Sequence, residues 1–169
     1  MDFQLEPPYG VGPLRLGMTA DEARAAVEPI GLLAQRALGE FVLDLPSGLR
    51  FSLGFGVAGP TLNRVNAIEV WRPCGHDVVR YRDVDVFGSP AQEVVKRIRR
   101  HADLREFETG CSFAALDLYL ALWRPFVADD DPDEEQGYFF QSVSVARPGY
   151  GDSPAEAAAR LAAGGQPGY

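Results

Sequence analysis

The chain has 169 residues, of which 46% are apolar and 24% charged, and its formal net charge is -8. These values are typical of a folded globular protein and exclude a largely disordered one. A negative surface repels nucleic acid and anionic membranes and attracts a basic protein. The chain contains no apolar run long enough for a membrane helix and no signal-peptide pattern at its start. Its two cysteines, Cys74 and Cys111, are expected to be reduced thiols rather than a disulfide. We therefore expect a cytoplasmic protein, a monomer or a homodimer, that binds neither nucleic acid nor membrane.

A capping box predicts where the first helix begins. In GPLRLGMTADEARAAV, residues 12–27, Thr19 can accept a hydrogen bond from the first helical turn, and Glu22 can reach back to the Thr19 amide. Apolar residues then recur at helical spacing as far as Ile30. A short amphipathic helix is therefore predicted after the extended segment Leu14 to Leu16.

Three strands are predicted after this helix. FVLDL (41–45) is the first, and LRFSLGF (49–55) and VNAIEVW (65–71) are the next two. In LRFSLGF the apolar residues alternate with polar ones, which is the pattern of a strand that buries one face. The first half of the chain is therefore predicted to be a helical segment packed on an antiparallel sheet.

The same order of elements returns about 70 residues later. Val84 to Val86 corresponds to Leu14 to Leu16, and Ser89, Pro90 and Gln92 repeat the capping box. Predicted strands follow in the region of REFETG (105–110), in LDLYLAL (116–122), where the leucines at 116, 118, 120 and 122 share one side, and in FQSVSVA (140–146). Because the elements recur in one order while the loop lengths vary, the pattern indicates an internal duplication.

The repeat predicts both the fold class and the organisation of the chain. We expect an α+β fold of two tandem related units, each a short helical segment packed on an antiparallel β-sheet. Residues 1–77 form the first predicted unit and residues 78–152 the second. Residues 153–169 are predicted to be a C-terminal helix and a loose tail.

The opening at residues 12–27, followed by antiparallel strands, resembles that of the SmpA/BamE and beta-lactamase-inhibitor-protein (BLIP-like) fold. In that fold a helix-turn-helix packs on an antiparallel sheet, and BLIP-like proteins carry two such units in tandem. The second opening, FGSPAQEV (87–94), lacks the G-M-T order of the first. Members of the family bind other proteins rather than catalyse reactions. The resemblance therefore implies a protein-binding module, and without a secretion signal it implies a cytoplasmic inhibitor or an immunity protein.

Large aromatic side chains on the uncovered sheet faces form the predicted binding surface. Strand alternation turns Glu69 and Trp71 outward in the first unit if Ile68 and Val70 point inward. Rigid rings on a polar sheet face are typical of protein interfaces. The alternative is that these rings pack the two units together or lie under the C-terminal helix. The predicted partner-binding residues are Glu69, Trp71, Asp117, Tyr119, Trp123 and Phe140.

Patterns for catalysis or metal binding are weak in this chain. Cys74 and His76 combine a thiol with an imidazole, but no third partner and no oxyanion signature accompany them. The acidic run ADDDPDEEQG (128–137) lacks the frame of a calcium loop, and the cysteines and histidines do not have zinc-site spacing. We therefore predict no catalytic residues, no metal and no cofactor. The predicted function is that of a non-catalytic inhibitor or immunity-type module that binds a basic protein. The alternatives are a small-ligand-binding protein or enzyme that uses the cleft between the units, and a dimeric scaffold whose sheets join edge to edge.

Overall fold

The computed structural model describes residues 1–57, 61–150, 159 and 162–164. This part of the chain is mostly strand and forms two sheets with three short helices, which confirms the predicted α+β class. The predicted C-terminal helix and tail, 153–169, lie almost entirely outside the described residues. The elements in chain order are β1 (Asp2–Glu6), β2 (Gly10–Val11), β3 (Leu14–Arg15), α1 (Ala20–Val27), β4 (Ala34–Ala37), β5 (Glu40–Asp44), β6 (Arg50–Phe55), β7 (Val65–Trp71), β8 (Val78–Tyr81), β9 (Val84–Asp85), α2 (Ala91–Ile98), β10 (Leu104–Phe107), β11 (Ser112–Ala115), β12 (Leu120–Trp123), α3 (Glu135–Tyr138) and β13 (Ser142–Ala146).

Helix α1 begins with the predicted capping box. The Thr19 hydroxyl accepts a hydrogen bond from the Glu22 amide at 3.2 Å, and the Glu22 carboxylate accepts one from the Thr19 amide at 2.8 Å. These two bonds satisfy amides that the helix itself leaves free, and the one from the Thr19 amide holds the pKa of Glu22 below its usual value. Ala23 and Val27 then turn into the core.

The second predicted capping box is wrong. Helix α2 begins after Pro90, and no side chain caps its first turn. Asp85 stabilises the preceding loop instead, since its carboxylate accepts hydrogen bonds from the amides of Phe87 at 3.2 Å and Gly88 at 2.9 Å. The helix therefore starts one residue later than the pattern predicts, and Ser89 lies outside the cap position.

The larger sheet has eight strands in the order β10-β11-β12-β13-β7-β6-β5-β4. All its neighbouring strands pair antiparallel. At its centre β7 pairs with β13, so that Val70 lies opposite Val143 and Ile68 lies opposite Val145. The strands from the two halves of the chain therefore form one continuous sheet.

One face of this sheet lies against the core. Phe3 of β1 packs on Phe51 of β6 with ring centroids 5.1 Å apart, which joins the smaller sheet to the larger one. Buried residues of both sheets, α1 and α2 belong to a single apolar cluster.

The alternation predicted for residues 49–55 is confirmed. Buried residues on the core face include Phe41, Leu43, Leu49, Phe51, Leu53, Phe55, Ile68, Val70, Phe113, Leu120, Leu122, Val143 and Val145.

The smaller sheet was not predicted from the sequence. Its strand order is β3-β2-β1-β8-β9, and β1 pairs in parallel with β8 while the other pairs are antiparallel. The parallel pair places Phe3 beside Val79 and Leu5 beside Tyr81. It therefore joins the start of the chain to the segment that follows residue 77.

The strand predicted over residues 116–122 is partly wrong. Strand β12 contains only the last part of it, and the preceding residues form a turn. Tyr119 has a φ of 49°, a left-handed conformation that ends the strand alternation. As a result Leu116 is 54% exposed instead of sharing the buried face of Leu120 and Leu122.

Candidate functional site

The outer face of the large sheet carries two tryptophans that touch. Trp71 at the end of β7 and Trp123 at the end of β12 both lie opposite Ser142 of β13, so the three residues form one row across the sheet. The two indole rings meet edge to face, with centroids 6.2 Å apart and an interplanar angle of 73°. Ser142 is only 3% exposed, whereas Trp123 is 37% exposed and Trp71 is half-buried.

Polar and small side chains surround this tryptophan pair. In the same row, Arg50 lies opposite Trp71 and Ser112 lies opposite Trp123. In the adjacent row of the same face, Glu69 lies opposite Ser144 on one side and Ser52 on the other, and Ala121 lies opposite Ser144. All four side chains are half-buried. The outer face is therefore a shallow surface with a carboxylate near its centre and an aromatic pair at one end.

The predicted partner-binding residues do not all lie on this face. Trp71, Trp123 and Glu69 do, as strand alternation predicts. The prediction that Phe140 points outward is wrong, because its side chain has no exposed surface and packs edge to face on Phe113 at 5.7 Å. Phe140 lies in irregular chain between α3 and β13, where the alternation of a strand does not apply.

Asp117 and Tyr119 lie in the turn that enters β12. Trp123 is at the other end of that strand, so the turn and the tryptophan pair lie at opposite ends of β12. Asp117 is exposed and Tyr119 is half-buried. The Tyr119 carbonyl oxygen accepts a hydrogen bond from the Ala146 amide at 3.0 Å. These two residues are therefore separate from the surface around Trp71.

The loop that contains Cys74 and His76 packs beside the turn between β5 and β6. Both cysteines of the chain are free thiols, and Cys74 is exposed. His76 lines a small cavity of about 250 Å³, and Cys74 is not among the described residues that line it. The structure therefore does not place the two side chains in one cavity.

Asp77 anchors this loop. Its carboxylate accepts hydrogen bonds from the Ser47 hydroxyl and from the amine of Met1. Burial of the Asp77 carboxyl raises its pKa, but these two hydrogen bonds outweigh burial and hold the pKa below its usual value. The Asp77 carboxylate therefore stabilises the loop through these two hydrogen bonds.

Arg124 is a buried arginine that sequence reasoning missed. Arg124 is 2% exposed, and its Nη1 donates to the Asp129 carboxylate and to the Gly137 carbonyl oxygen, both at 2.6 Å. Its Nε donates to the Gly110 carbonyl oxygen at 2.9 Å. Burial raises the pKa of Asp129, but hydrogen bonds from Arg124 and Gln92 and the charge of Arg124 hold that pKa below its usual value. The sequence signal for this pair was an arginine five residues before Asp129, the first carboxylate of the acidic run.

The described ranges, 1–57 and 61–150 with four later residues, contain no group of three or more His, Cys, Asp or Glu side chains that could hold a metal ion. No helix within them is long and apolar enough to cross a membrane.

No family model, curated protein or solved structure matches the chain. A function for this chain must therefore be argued from its own geometry.

Proposed function

We propose that this chain is a non-catalytic, cytoplasmic protein-binding module of the inhibitor or immunity type, which binds a basic partner protein through the outer face of its large sheet. The observation that carries the proposal is the edge-to-face pair of Trp71 and Trp123, which remains partly exposed at one end of that face. Paired tryptophans bury a large area at little entropic cost when a partner covers them. The surface is also already ordered, because each ring is held by the other.

The size of the outer face suits a protein partner. Eight strands about 4.8 Å apart, each about 17 Å long, give a face on the order of 600 Å². A stable protein complex buries about 800 Å² on each partner. Val42, Ala67 and Ala146 of this face are already buried, so a partner would contact the part around the tryptophans together with the flanking loops.

Charge favours a basic partner. The chain has a net charge of -8, and Glu69 places a half-buried carboxylate beside the tryptophan row. Opposite charges speed the encounter of two proteins and align them before the apolar contacts form. Lysine or arginine on the partner would pair with Glu69 while apolar side chains cover the rings.

The order of elements supports a duplicated, BLIP-like architecture as part of this proposal. An eight-residue helix precedes four strands in each half of the chain, α1 before β4–β7 and α2 before β10–β13. In the second half the short helix α3 lies between β12 and β13. Where β7 meets β13, Ile68 lies opposite Val145 and Val70 opposite Val143. In the sequence, Ile68 and Val70 of VNAIEVW correspond to Val143 and Val145 of FQSVSVA. Exchanging Ile68 with Val143 and Val70 with Val145 reproduces the same two pairs. Two related units joined about a pseudo-two-fold axis would have this register.

The test measures the affinity of a partner protein isolated with this chain. The tagged protein is used to isolate stoichiometric partners from its own cell lysate, and each is then purified and titrated by calorimetry. We expect a basic protein whose affinity falls at least about tenfold with Trp71→Ala and Trp123→Ala combined. Glu69→Lys keeps both rings and should mainly slow association.

Tyr9→Ala is the matched control, since Tyr9 is an aromatic residue that is 68% exposed and lies outside the large sheet. It should bind the partner like the wild type. A partner that binds the folded tryptophan variant with unchanged affinity would overturn the proposal, and so would the absence of any stoichiometric partner. Circular dichroism on every variant separates loss of binding from loss of fold.

A further inference from the structure

A cavity lies on the core side of the large sheet, on the face opposite the tryptophan pair. It has a volume of about 620 Å³ and lies between α2, the β10–β11 hairpin and the segment after β12. Phe113, which faces the core from β11, forms part of its floor. Its volume is within the range of pockets that hold small molecules.

Arg124 contributes a hydrogen-bond donor to this cavity. Its Nε and Nη1 make three hydrogen bonds within the protein, to Gly110, Asp129 and Gly137. Its Nη2 donates to no described residue, although the side chain is almost completely buried and lines the cavity. Among the described residues Asn66 Oδ1 is the only buried side-chain polar atom without a partner, so Arg124 Nη2 is open to the cavity. A charged N–H group makes a stronger hydrogen bond to an anionic acceptor than to a neutral one.

Gly110 keeps the space in front of Arg124 open. It has a φ of +82°, a conformation that favours glycine, and it lines the cavity. The position that a Cβ would take on Gly110 is 3.8 Å from Arg124 Nη2, 3.8 Å from Glu106 Oε1 and 3.1 Å from the Val127 side chain. Arg124 Nη2 and Glu106 Oε1 therefore border the same small space.

The cavity is positive although the protein is acidic. Lys96 and Arg99 line it from α2, and Arg124 lines it from the end of β12. Of its two carboxylates, that of Asp129 is already bonded to Arg124, and that of Glu106 lines the cavity with Lys96 and Arg99. Lys96 also pairs at 3.8 Å with Glu93, which does not line the cavity. The three cations and two carboxylates leave one net positive charge in the lining, and a concave site focuses such a field on an approaching anion.

The walls of the cavity also offer apolar contact. Val95, Phe113 and Val127 line it beside the charged residues. Arg99 is fixed over the Phe113 ring, with its guanidinium carbon 5.9 Å from the ring centroid, and its Nε donates to the Leu104 carbonyl oxygen at 3.0 Å. A ligand can therefore lie with its anionic group at the arginines and an apolar body against these side chains.

We propose that this cavity binds a small organic anion, a carboxylate or phosphate group carried on an apolar or aromatic body. Arg124 Nη2 and the Arg99 guanidinium bind the anionic group, and the exposed Lys96 side chain adds a positive charge at the rim. Val95, Phe113 and Val127 contact the body of the ligand. The site is on the other side of the sheet from the proposed protein-binding face, so the two can be tested separately.

The test is a titration of the whole chain, labelled with ¹⁵N, followed through its backbone amide signals in dilute buffer. Benzoate and phenyl phosphate are the probes, benzyl alcohol is the uncharged control, and inorganic phosphate lacks the apolar body. We expect at least one of the two organic anions to give saturable shifts at Gly110, Val127 and the last turn of α2, with half-saturation below about 10 mM. The uncharged alcohol should not shift these signals.

Variants identify the residues that bind the probe. Lys96→Gln and Arg99→Gln combined should weaken binding by about tenfold. Arg50→Gln should leave it unchanged, because Arg50 is an exposed arginine that pairs with Asp44 far from the cavity. The proposal is overturned if neither organic anion saturates these signals, if inorganic phosphate or benzyl alcohol binds as well as the organic anions, or if the double variant binds like the wild type.

Discussion

Trp71 and Trp123 come from strands that are not neighbours, yet their rings are in contact with centroids 6.2 Å apart. Strand β13 lies between them, and its Ser142 is opposite both tryptophans. Because a serine is small, it leaves room above the sheet for the two indoles to meet, and they cover it almost completely. The contact therefore links β7 from the first half of the chain to β12 from the second.

This relationship predicts that the two tryptophans stabilise the fold cooperatively. In a double-mutant cycle, Trp71→Ala and Trp123→Ala should show a coupling free energy of about 0.5 to 1.5 kcal/mol, since removing either ring also removes the edge-to-face contact of the other. Urea unfolding followed by circular dichroism measures the four free energies. A cycle of Trp71→Ala with Tyr9→Ala should show no coupling. Strict additivity between the two tryptophans would contradict the observed contact.

Local sequence patterns predicted the elements that depend on local interactions. The capping box at Thr19 and the alternation around Phe51 each involve residues within a few positions of one another, and both are present. The pattern failed at Tyr119, where the leucine alternation continues in the sequence although the backbone turns. It also failed at Phe140, because alternation says nothing about side chains outside a strand.

Such local patterns could not predict contacts between distant parts of the chain. The pairing of β1 with β8 and of β7 with β13 joins segments about 75 residues apart, and periodicity does not state which strand is the neighbour of another. Arg124 was missed for a related reason. An arginine is usually exposed, and its burial here results from acceptors on three separate segments, at Gly110, Asp129 and Gly137.

The two predicted capping boxes should respond differently to mutation. Thr19→Ala removes the side chain that accepts from the Glu22 amide and should lower the free energy of unfolding by about 1 kcal/mol. Ser89→Ala should change it by less than about 0.5 kcal/mol, because no described residue bonds to that hydroxyl and α2 has no side-chain cap. Urea unfolding of the two variants under one condition makes the comparison. Equal losses would mean that Ser89 also caps its helix.

Arg124 should be the most important arginine for stability among those described. Arg124→Met keeps most of the apolar stem but leaves Asp129 and two carbonyl oxygens without their donor, so we expect a loss of about 3 kcal/mol or more. Arg50→Met removes an exposed pair with Asp44 and should cost less than about 1 kcal/mol. Thermal and urea unfolding of both variants measures the difference. A loss for Arg124→Met as small as that for Arg50→Met would contradict the buried network.

The pairing of Asp129 with Arg124 predicts a specific dependence of stability on pH. Because the pKa of Asp129 is lower in the folded protein than in the unfolded chain, the pair contributes its full stability above the usual aspartate pKa of about 4. That contribution is lost as the pH falls through the lower pKa of the folded state. Asp129→Asn removes the titrating group, so the difference in unfolding free energy between wild type and variant should be large at pH 7 and shrink below about pH 4.

Other acidic residues, including Asp77 and Asp83, also have lowered pKa values, but they are present in both proteins and cancel from this difference. Asp130→Asn is the matched control, because Asp130 is the exposed next residue and bonds to no described side chain. It should have little effect on stability at any pH. Urea unfolding of the three proteins between pH 7 and the acid limit of the fold measures both differences. If the gap between wild type and Asp129→Asn stayed constant over that range, the charge of Asp129 would not be what stabilises Arg124, and the carbonyl oxygens of Gly110 and Gly137 would be its main partners.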